Sequence, residues 1–248
     1  MLTVVLPAYN EGAGLGALLV DIATAVGPVG PYEILVVDDG STDETSSIAR
    51  RAAHNFPVRV LSHSKNLDYG RALQTGLIEA FRNGGTVVTL DADGSHDPTL
   101  IASMRVEIEA GYDLVIASRF RPGGAEIGVP WNRRLLSRSA SLIFQSTLSI
   151  GDVRDYTSGY RAYRSSLVQR MVRARGEKGF LSSASFAAGF ELLLEAASLG
   201  ARITEIPLIL RYDLKQSASK MRVTRELPPY FALLVGHHFR ARPAKGSR

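Results

Sequence analysis

The stretch Thr86-Val87-Val88-Thr89-Leu90-Asp91-Ala92-Asp93-Gly94-Ser95-His96 decides how this chain reads. A short apolar, β-branched run ends in two carboxylates separated by one residue. The same arrangement occurs upstream, where Val36-Val37 runs into Asp38-Asp39-Gly40-Ser41-Thr42-Asp43. Residues i and i+2 of an extended segment share a face, so Asp91 and Asp93 point the same way and repel. A divalent cation removes that repulsion, and hard oxygen ligands favour Mg²⁺ or Mn²⁺. No cluster of His and Cys stands beside them to argue for zinc. A metal held by only two carboxylates completes its shell with water and substrate phosphate, so the expected ligand is a diphosphate. Alone, D-A-D is also what a solvated turn looks like; its place after a strand-like run favours the metal.

Outward from that stretch the first 120 residues alternate. Apolar strands are predicted at 2–7, 33–38, 58–62, 86–91 and 113–118, with helical patterns at 12–26, 43–54, 70–82 and 97–109. This alternation predicts an α/β fold with a mainly parallel sheet flanked by helices. Ligands of such sheets bind beyond the carboxyl ends of the strands, where Tyr9-Asn10-Glu11, Asp38-Asp39 and Asp91-Asp93 all fall, so one cleft can hold the three. After Arg121-Pro122-Gly123-Gly124 the pattern becomes an amphipathic helix over 132–148, a strand over 159–163, a helix over 188–199 and a strand over 203–210. A polar, mobile segment is expected over 214–220. A last helix over 224–239 must begin after or kink at Pro228-Pro229.

With 248 residues the chain can bury roughly 70–75% of its unfolded surface, so no staple is needed. Absence of cysteine removes thiol and disulfide chemistry. Met1 runs directly into an apolar strand without a basic leader, and a cytoplasmic protein is expected. No stretch approaches the ~20 apolar residues of a membrane span; the best candidates, Leu142–Ile150 and Tyr230–Val235, are far too short. The net charge is +5. Arginines crowd two places, at Arg119, Arg121, Arg133, Arg134 and Arg138, and at Arg240, Arg242, Lys245 and Arg248, which indicates anionic partners. No nucleic-acid recognition motif is present; a phosphorylated substrate or an anionic membrane surface fits better.

Gly12-Ala13-Gly14-Leu15-Gly16-Ala17 satisfies the dinucleotide pattern G-x-G-x-x-A, with Asp38 near the position of a ribose-binding acid. Against a redox enzyme, Ala8 to Gly12 separate the strand from the helix where that fingerprint turns tightly, and Glu11 would set a carboxylate beside the pyrophosphate.

Taken in order, Pro7-Ala8-Tyr9-Asn10-Glu11, Val37–Asp43, Leu90–His96, Ser118-Arg119, Asp155–Arg161 and Glu205-Ile206-Pro207 with Ser219-Lys220 resemble inverting family 2 glycosyltransferases of the dolichol-phosphate mannose synthase type. The resemblance covers about residues 3 to 221. It implies a GT-A fold, a nucleotide-diphosphate sugar donor, most readily GDP-mannose, and a polyprenyl-phosphate acceptor. It divides the chain into a catalytic domain over 1–221, with a nucleotide-sugar half (1–120) and an acceptor half (121–221), and a C-terminal helix and basic tail over 222–248. The implied donor residues are Pro7, Tyr9, Glu11, Asp39, Asp91 and Asp93, the last two also holding the metal. The implied acceptor residues are Arg119, Arg133 and Ser137, and Lys220 joins Asp91, Asp93 and Arg119 in catalysis. Tyr9 can pack on a flat base, Glu11 and Asp39 can accept from base or ribose, and Ser41 or Thr42 can cap the following helix.

Three departures from the family pattern stand out. Ser95 replaces the Gln of D-A-D-x-Q-H, so a third metal ligand would be shorter and act through water. R-x-x-G-x-S-K becomes Asp213–Lys220 with one residue inserted, leaving Lys215 or Arg211 to supply the missing charge. No membrane helices follow the catalytic region, so a membrane partner or a peripheral contact at the cytoplasmic face is expected, with Tyr230–Val235 and the terminal basic residues as the anchor. A phosphate acceptor is already anionic at neutral pH and needs no strong base. A soluble hydroxyl acceptor, the alternative enzyme, would need one, with Glu191 and Asp155 as candidates. A third reading is a nucleotide-sugar-binding subunit without turnover.

Overall fold

The computed structural model describes residues 1–148, 150–216 and 228–235. Strands and helices alternate through β1 (Leu2–Ala8), α1 (Gly12–Val26), β2 (Tyr32–Asp38), α2 (Thr45–Ala52), β3 (Val58–Ser62), α3 (Tyr69–Phe81), β4 (Thr86–Thr89), α4 (Leu100–Glu109) and β5 (Leu114–Ser118). There follow β6 (Ala125–Ile127), α5 (Trp131–Thr147), β7 (Arg161–Arg164), α6 (Ser165–Arg175), α7 (Ala188–Ser198), β8 (Ile203–Pro207), β9 (Ile209–Arg211) and a helical segment at 228–235. The main sheet has the order β3-β2-β1-β4-β7-β5-β8 and is parallel except for β7, which runs against both β4 and β5.

Both faces of the sheet are covered, which is why its strands read as nearly continuous apolar runs. Val5, Leu35, Val37, Leu114 and Ile116 pack against α3, α5, α6 and α7. Val4, Leu6, Ile34, Val36 and Val115 pack against α1, α2 and α4. At Gly76 a Cβ would stand 2.3 Å from Val5 Cγ1, so a glycine lets α3 sit directly on β1. The chain passes from β1 outward to β2 and β3, then returns past β1 to β4. That reversal opens a crevice at the carboxyl ends of β1 and β4, beside which Ala8 faces Asp38 in register and Leu90 N–H donates to Val5 O at 3.3 Å.

Three features differ from expectation. Strand 203–210 breaks after Pro207, which has no amide hydrogen for a further rung; β8 stays with β5, and β9 pairs with β6 in a separate two-stranded sheet. Helix α6 was not anticipated, although Leu167, Val168, Met171 and Val172 form its buried stripe, and β6 is too short for periodicity to reveal. Finally, Gly12–Val29 is long and apolar enough to cross a bilayer by length and composition, a stretch not among the candidates considered. Leu15, Leu18, Leu19, Ile22, Ala23 and Val26 bury one face of it against the sheet, as in a core helix.

Candidate active site

A cleft of about 980 Å³ lies across the carboxyl ends of the strands, and Pro7, Tyr9, Glu11, Asp39, Asp91, Asp93, Arg119, Arg133 and Ser137 all line it. Lys220 and Ser219 lie outside the described residues.

At the acidic end the loop after β1 is clasped to the loop after β2. Asn10, in the left-handed region at φ 52°, receives Thr42 N–H on Oδ1 at 2.8 Å and donates its own N–H to Ser41 Oγ at 3.0 Å. Glu11 N–H donates to Thr45 Oγ1 at 2.8 Å and Gly12 N–H to Asp43 Oδ2 at 3.0 Å. The amide of Gly12, which a dinucleotide fingerprint would offer to a pyrophosphate, is therefore already taken. Ser41 and Thr42 serve this clasp rather than cap α2, which starts at Thr45 without a side-chain cap. Asp38 Oδ1 accepts Ser41 N–H at 3.0 Å and so closes its own turn. Asp39 Oδ1 accepts Leu67 N–H at 3.0 Å and is 2.6 Å from His63 Nδ1, whose other nitrogen is 3.0 Å from Thr75 Oγ1. A carboxylate only accepts, so the proton of His63 sits on Nδ1. Gly40, at φ 69°, lets the 65–67 backbone reach Asp39, since a Cβ there would lie 2.4 Å from Lys65 C.

Beyond β4, Asp91 N–H donates to His96 Nδ1 at 3.2 Å, and the His96 ring stacks on Tyr160 at 5.0 Å. Asp91 Oδ1 is buried with no hydrogen-bond partner; burial, then the charge of Asp93, pushes its carboxyl above the ordinary carboxylate range, against the pull of His96 and Lys215. Asp93 Oδ1 accepts Ser95 N–H at 3.0 Å and Ser95 Oγ–H at 2.6 Å, while Oδ2 pairs with Lys215 Nζ. Burial works to raise the Asp93 carboxyl, but Lys215, His96 and Ser95 outweigh it and hold it low. Ser95 thus braces Asp93 instead of standing clear as a third ligand. Among the described residues no three His, Cys, Asp or Glu side chains are grouped to hold a metal. An orphan carboxylate oxygen on Asp91 next to the carboxylate of Asp93 fits a hard divalent ion whose other ligands come from diphosphate and water.

The opposite end is rich in arginine. The guanidinium of Arg119 is bidentate to Asp155, with Nε to Oδ2 and Nη2 to Oδ1 both at 2.7 Å, and Nη2 also reaches Thr157 Oγ1 at 2.6 Å. Burial alone would raise the Asp155 carboxyl; Arg119 and backbone amides hold it below the ordinary range. Much of the fork assigned to a phosphate is thus engaged by protein. Arg133 Nη1 donates to Tyr212 Oη at 3.0 Å, and Ser137 Oγ donates to Arg134 O at 3.2 Å. Glu126, on β6, is buried with Oε1 3.4 Å from Arg119 Nη1 and Oε2 3.8 and 3.7 Å from Arg134 and Arg138 Nε. Glu191 accepts Ser182 N–H, Ser182 Oγ–H and Ser183 N–H, so both base candidates named from sequence are structurally engaged. Arg211 pairs with Asp213 on the surface, which leaves Lys215 as the cation that reaches the acids.

Sequence reading missed Glu126, Tyr212 and the Tyr69–Phe186 ring pair, stacked at 4.6 Å in the cleft wall. None carries a motif; a lone Glu in a three-residue strand and single aromatics after turns give no local signal.

The fold and cleft are those of a glycosyltransferase of the GT-A fold, an assignment that rests on the chain's likeness to known proteins. Residues 3–172 match the glycosyl transferase family 2 profile, and the chain belongs to that family. It is 34% identical over 209 residues to a polyprenol monophosphomannose synthase of Mycolicibacterium smegmatis, covering 83% of this chain and 75% of that one. It is 33% identical over 206 residues to an undecaprenyl-phosphate mannosyltransferase of Micrococcus luteus, covering 82% and 81%. In fold it is similar to the glucosyl-3-phosphoglycerate synthase of Mycobacterium tuberculosis crystallised with Mn²⁺ and uridine-diphosphate, with TM-score 0.69, 22% identity and coverage of 99% of this chain and 80% of that one.

Proposed function

We propose that the protein transfers mannose from GDP-mannose to a polyprenyl phosphate, with inversion, by in-line displacement at the anomeric carbon. The observation that carries this reading is the opposite charge of the two ends of one cleft, carboxylates at the strand ends and arginines on α5. Names of the relatives, which are mannosyltransferases acting on polyprenol or undecaprenyl phosphate, support the sugar and the acceptor.

In this account Tyr9 packs on the base, and Glu11 and Asp39 accept from base or ribose donors. Asp91 and Asp93 would hold Mg²⁺ or Mn²⁺, which when bound neutralises the departing diphosphate. Arg133 and Ser137 orient the acceptor phosphate, and Arg119, fixed by Asp155 with Nη1 3.4 Å from Glu126, adds its positive charge to that wall. Lys220 is kept as a further cation for the diphosphate on the strength of the family motif alone. An acceptor phosphate attacks without a protein base, in keeping with the engaged states of Asp155 and Glu191.

The same helix supplies a membrane contact. On α5, Trp131, Leu135 and Leu142 are 77%, 60% and 65% exposed and fall on one helical face, with Arg134 and Arg138 beside them. Phe231, at the cleft mouth, is also exposed. Leu136, Ser137 and Ala140 of α5 line the cleft itself. A helix with an apolar outer face and flanking cations suits peripheral docking at the cytoplasmic face of an anionic membrane, where an isoprenoid tail can stay in lipid while its phosphate enters. Of the expected C-terminal anchor, Tyr230 is buried against Phe144 and Phe190 while Phe231 and Val235 are exposed; the terminal basic residues lie outside the described residues. The test is a donor screen: GDP-mannose, GDP-glucose, UDP-glucose and UDP-galactose with Mn²⁺ and a short polyprenyl phosphate. Mannosyl-phosphoprenol from GDP-mannose alone is expected. Preference for a UDP-sugar would overturn the donor, and no product from any donor would overturn the reaction.

A further inference from the structure

Lys215 stands where a cation is expected. Its Nζ pairs with Asp93 Oδ2 in a site where the lysine side chain is 12% and the aspartate 8% exposed, and it lies 5.8 Å from the centre of the Tyr212 ring. Next to it Asp91 keeps a buried oxygen without a hydrogen-bond partner. The segment carrying Lys215 is held over the site: Arg211 N–H donates to Ser95 O at 3.0 Å, and a Cβ on Gly14 would lie 3.8 Å from Gln216.

An oxygen that already receives an ammonium binds a divalent ion at metal-ligand distance only against strong repulsion, because the two cations are forced together in a poorly solvated site. We infer that Lys215 is a displaceable counter-ion: it neutralises Asp93 while no donor is bound, and a divalent cation binds productively only as Lys215 is drawn off by the donor's diphosphate. This rests on the reading of Asp91 and Asp93 as metal ligands. The ammonium must find another anion when it leaves Asp93, and the oxygens of an incoming diphosphate supply one. Metal without nucleotide supplies none. Metal and nucleotide therefore enter together, and metal alone binds weakly. Lysine suits this exchange better than arginine at a fixed fork, because its charge is a point on a flexible stem.

The experiment is Mn²⁺ binding to the full chain, read from the electron paramagnetic resonance of free Mn²⁺, for the wild type, Lys215→Met and Lys215→Arg, each with and without GDP or UDP. Thermal unfolding of all three checks that they fold. Without nucleotide, Lys215→Met is expected to bind Mn²⁺ about tenfold more tightly than the wild type or more, and Lys215→Arg to stay near the wild type. With nucleotide, the gap between wild type and Lys215→Met should close or reverse. Equal binding by wild type and Lys215→Met without nucleotide would overturn the counter-ion. A gap of unchanged size with nucleotide would make Lys215 a background charge and overturn the exchange. Failure of the wild type to bind Mn²⁺ with either nucleotide would instead overturn the metal reading on which the inference rests.

Discussion

Asp93 and Arg119, at the two ends of the cleft, are oriented by different means. At the acidic end, Asp38 and Asp93 are oriented within their own turns, by Ser41 N–H and by Ser95, while Asp39 is held by Leu67 N–H and His63, 28 and 24 residues away. At the basic end, Arg119 is fixed by Asp155, which lies 36 residues away, and Glu126 sits among Arg119, Arg134 and Arg138. A carboxylate fixed by neighbouring amides keeps its other oxygen for a cation. An arginine fixed by a distant carboxylate depends on the whole domain being folded. The acid Asp93 is thus oriented by its own turn and Arg119 by a distant carboxylate, and substitutions at the two positions should fail in different ways.

The largest expected effect is on stability at the basic end. Asp155→Asn removes the bidentate counter-charge of the buried Arg119 guanidinium and leaves it Glu126 at 3.4 Å, a loss of about 3–5 kcal/mol readable by denaturant unfolding. Because Arg119 holds the folded-state carboxyl below its ordinary value, the wild-type contribution is complete above about pH 4 and disappears as pH falls through that lower value. The difference between wild type and Asp155→Asn should therefore shrink on acidification. A difference that stayed constant down to acid denaturation would break the comparison.

At the acidic end the effect should fall on turnover. Asp93→Ala removes a metal ligand, and transfer should drop by a factor on the order of 10² or more. Full activity of this variant in chelator would remove the metal from the account. Arg133→Ala comes next: losing a charge-assisted hydrogen bond to phosphate should raise the acceptor KM roughly tenfold and leave donor affinity unchanged. Equal weakening of both would mean that the two ends are not separate. The smallest effect is at the outer face of α5. Replacing Trp131, Leu135 and Leu142 by Ser should weaken sedimentation with phosphatidylglycerol vesicles about tenfold or more while turnover of a short, soluble acceptor stays at the wild-type level. Unchanged vesicle binding would send the membrane contact elsewhere.

This division also explains what the sequence reveals. The parallel sheet and the acidic end were legible because strand, turn and acid lie within a few residues of one another, as in 86–96 and 36–43. The basic end was only partly legible. Arg133 and Ser137 fall four apart on a helix, but nothing local marks Glu126 as the carboxylate that gathers Arg119, Arg134 and Arg138. Nor does Asp155 announce that it commits the guanidinium assigned to substrate. Segment 214–220 read as polar and mobile, yet Lys215 within it is bound into the acidic end, because a contact across 122 residues leaves no mark on either neighbourhood.

The most direct test of the central claim compares two acceptors that differ only in charge. With GDP-mannose and Mn²⁺, the protein is offered a short polyprenyl phosphate or the corresponding polyprenol, and product is quantified by mass spectrometry. If the arginine end exists to hold a phosphate, and no side chain acts as base, mannose should pass to the phosphate and not detectably to the alcohol. Equal or faster transfer to the alcohol would contradict the account and would require a carboxylate base among the residues here described as structurally engaged.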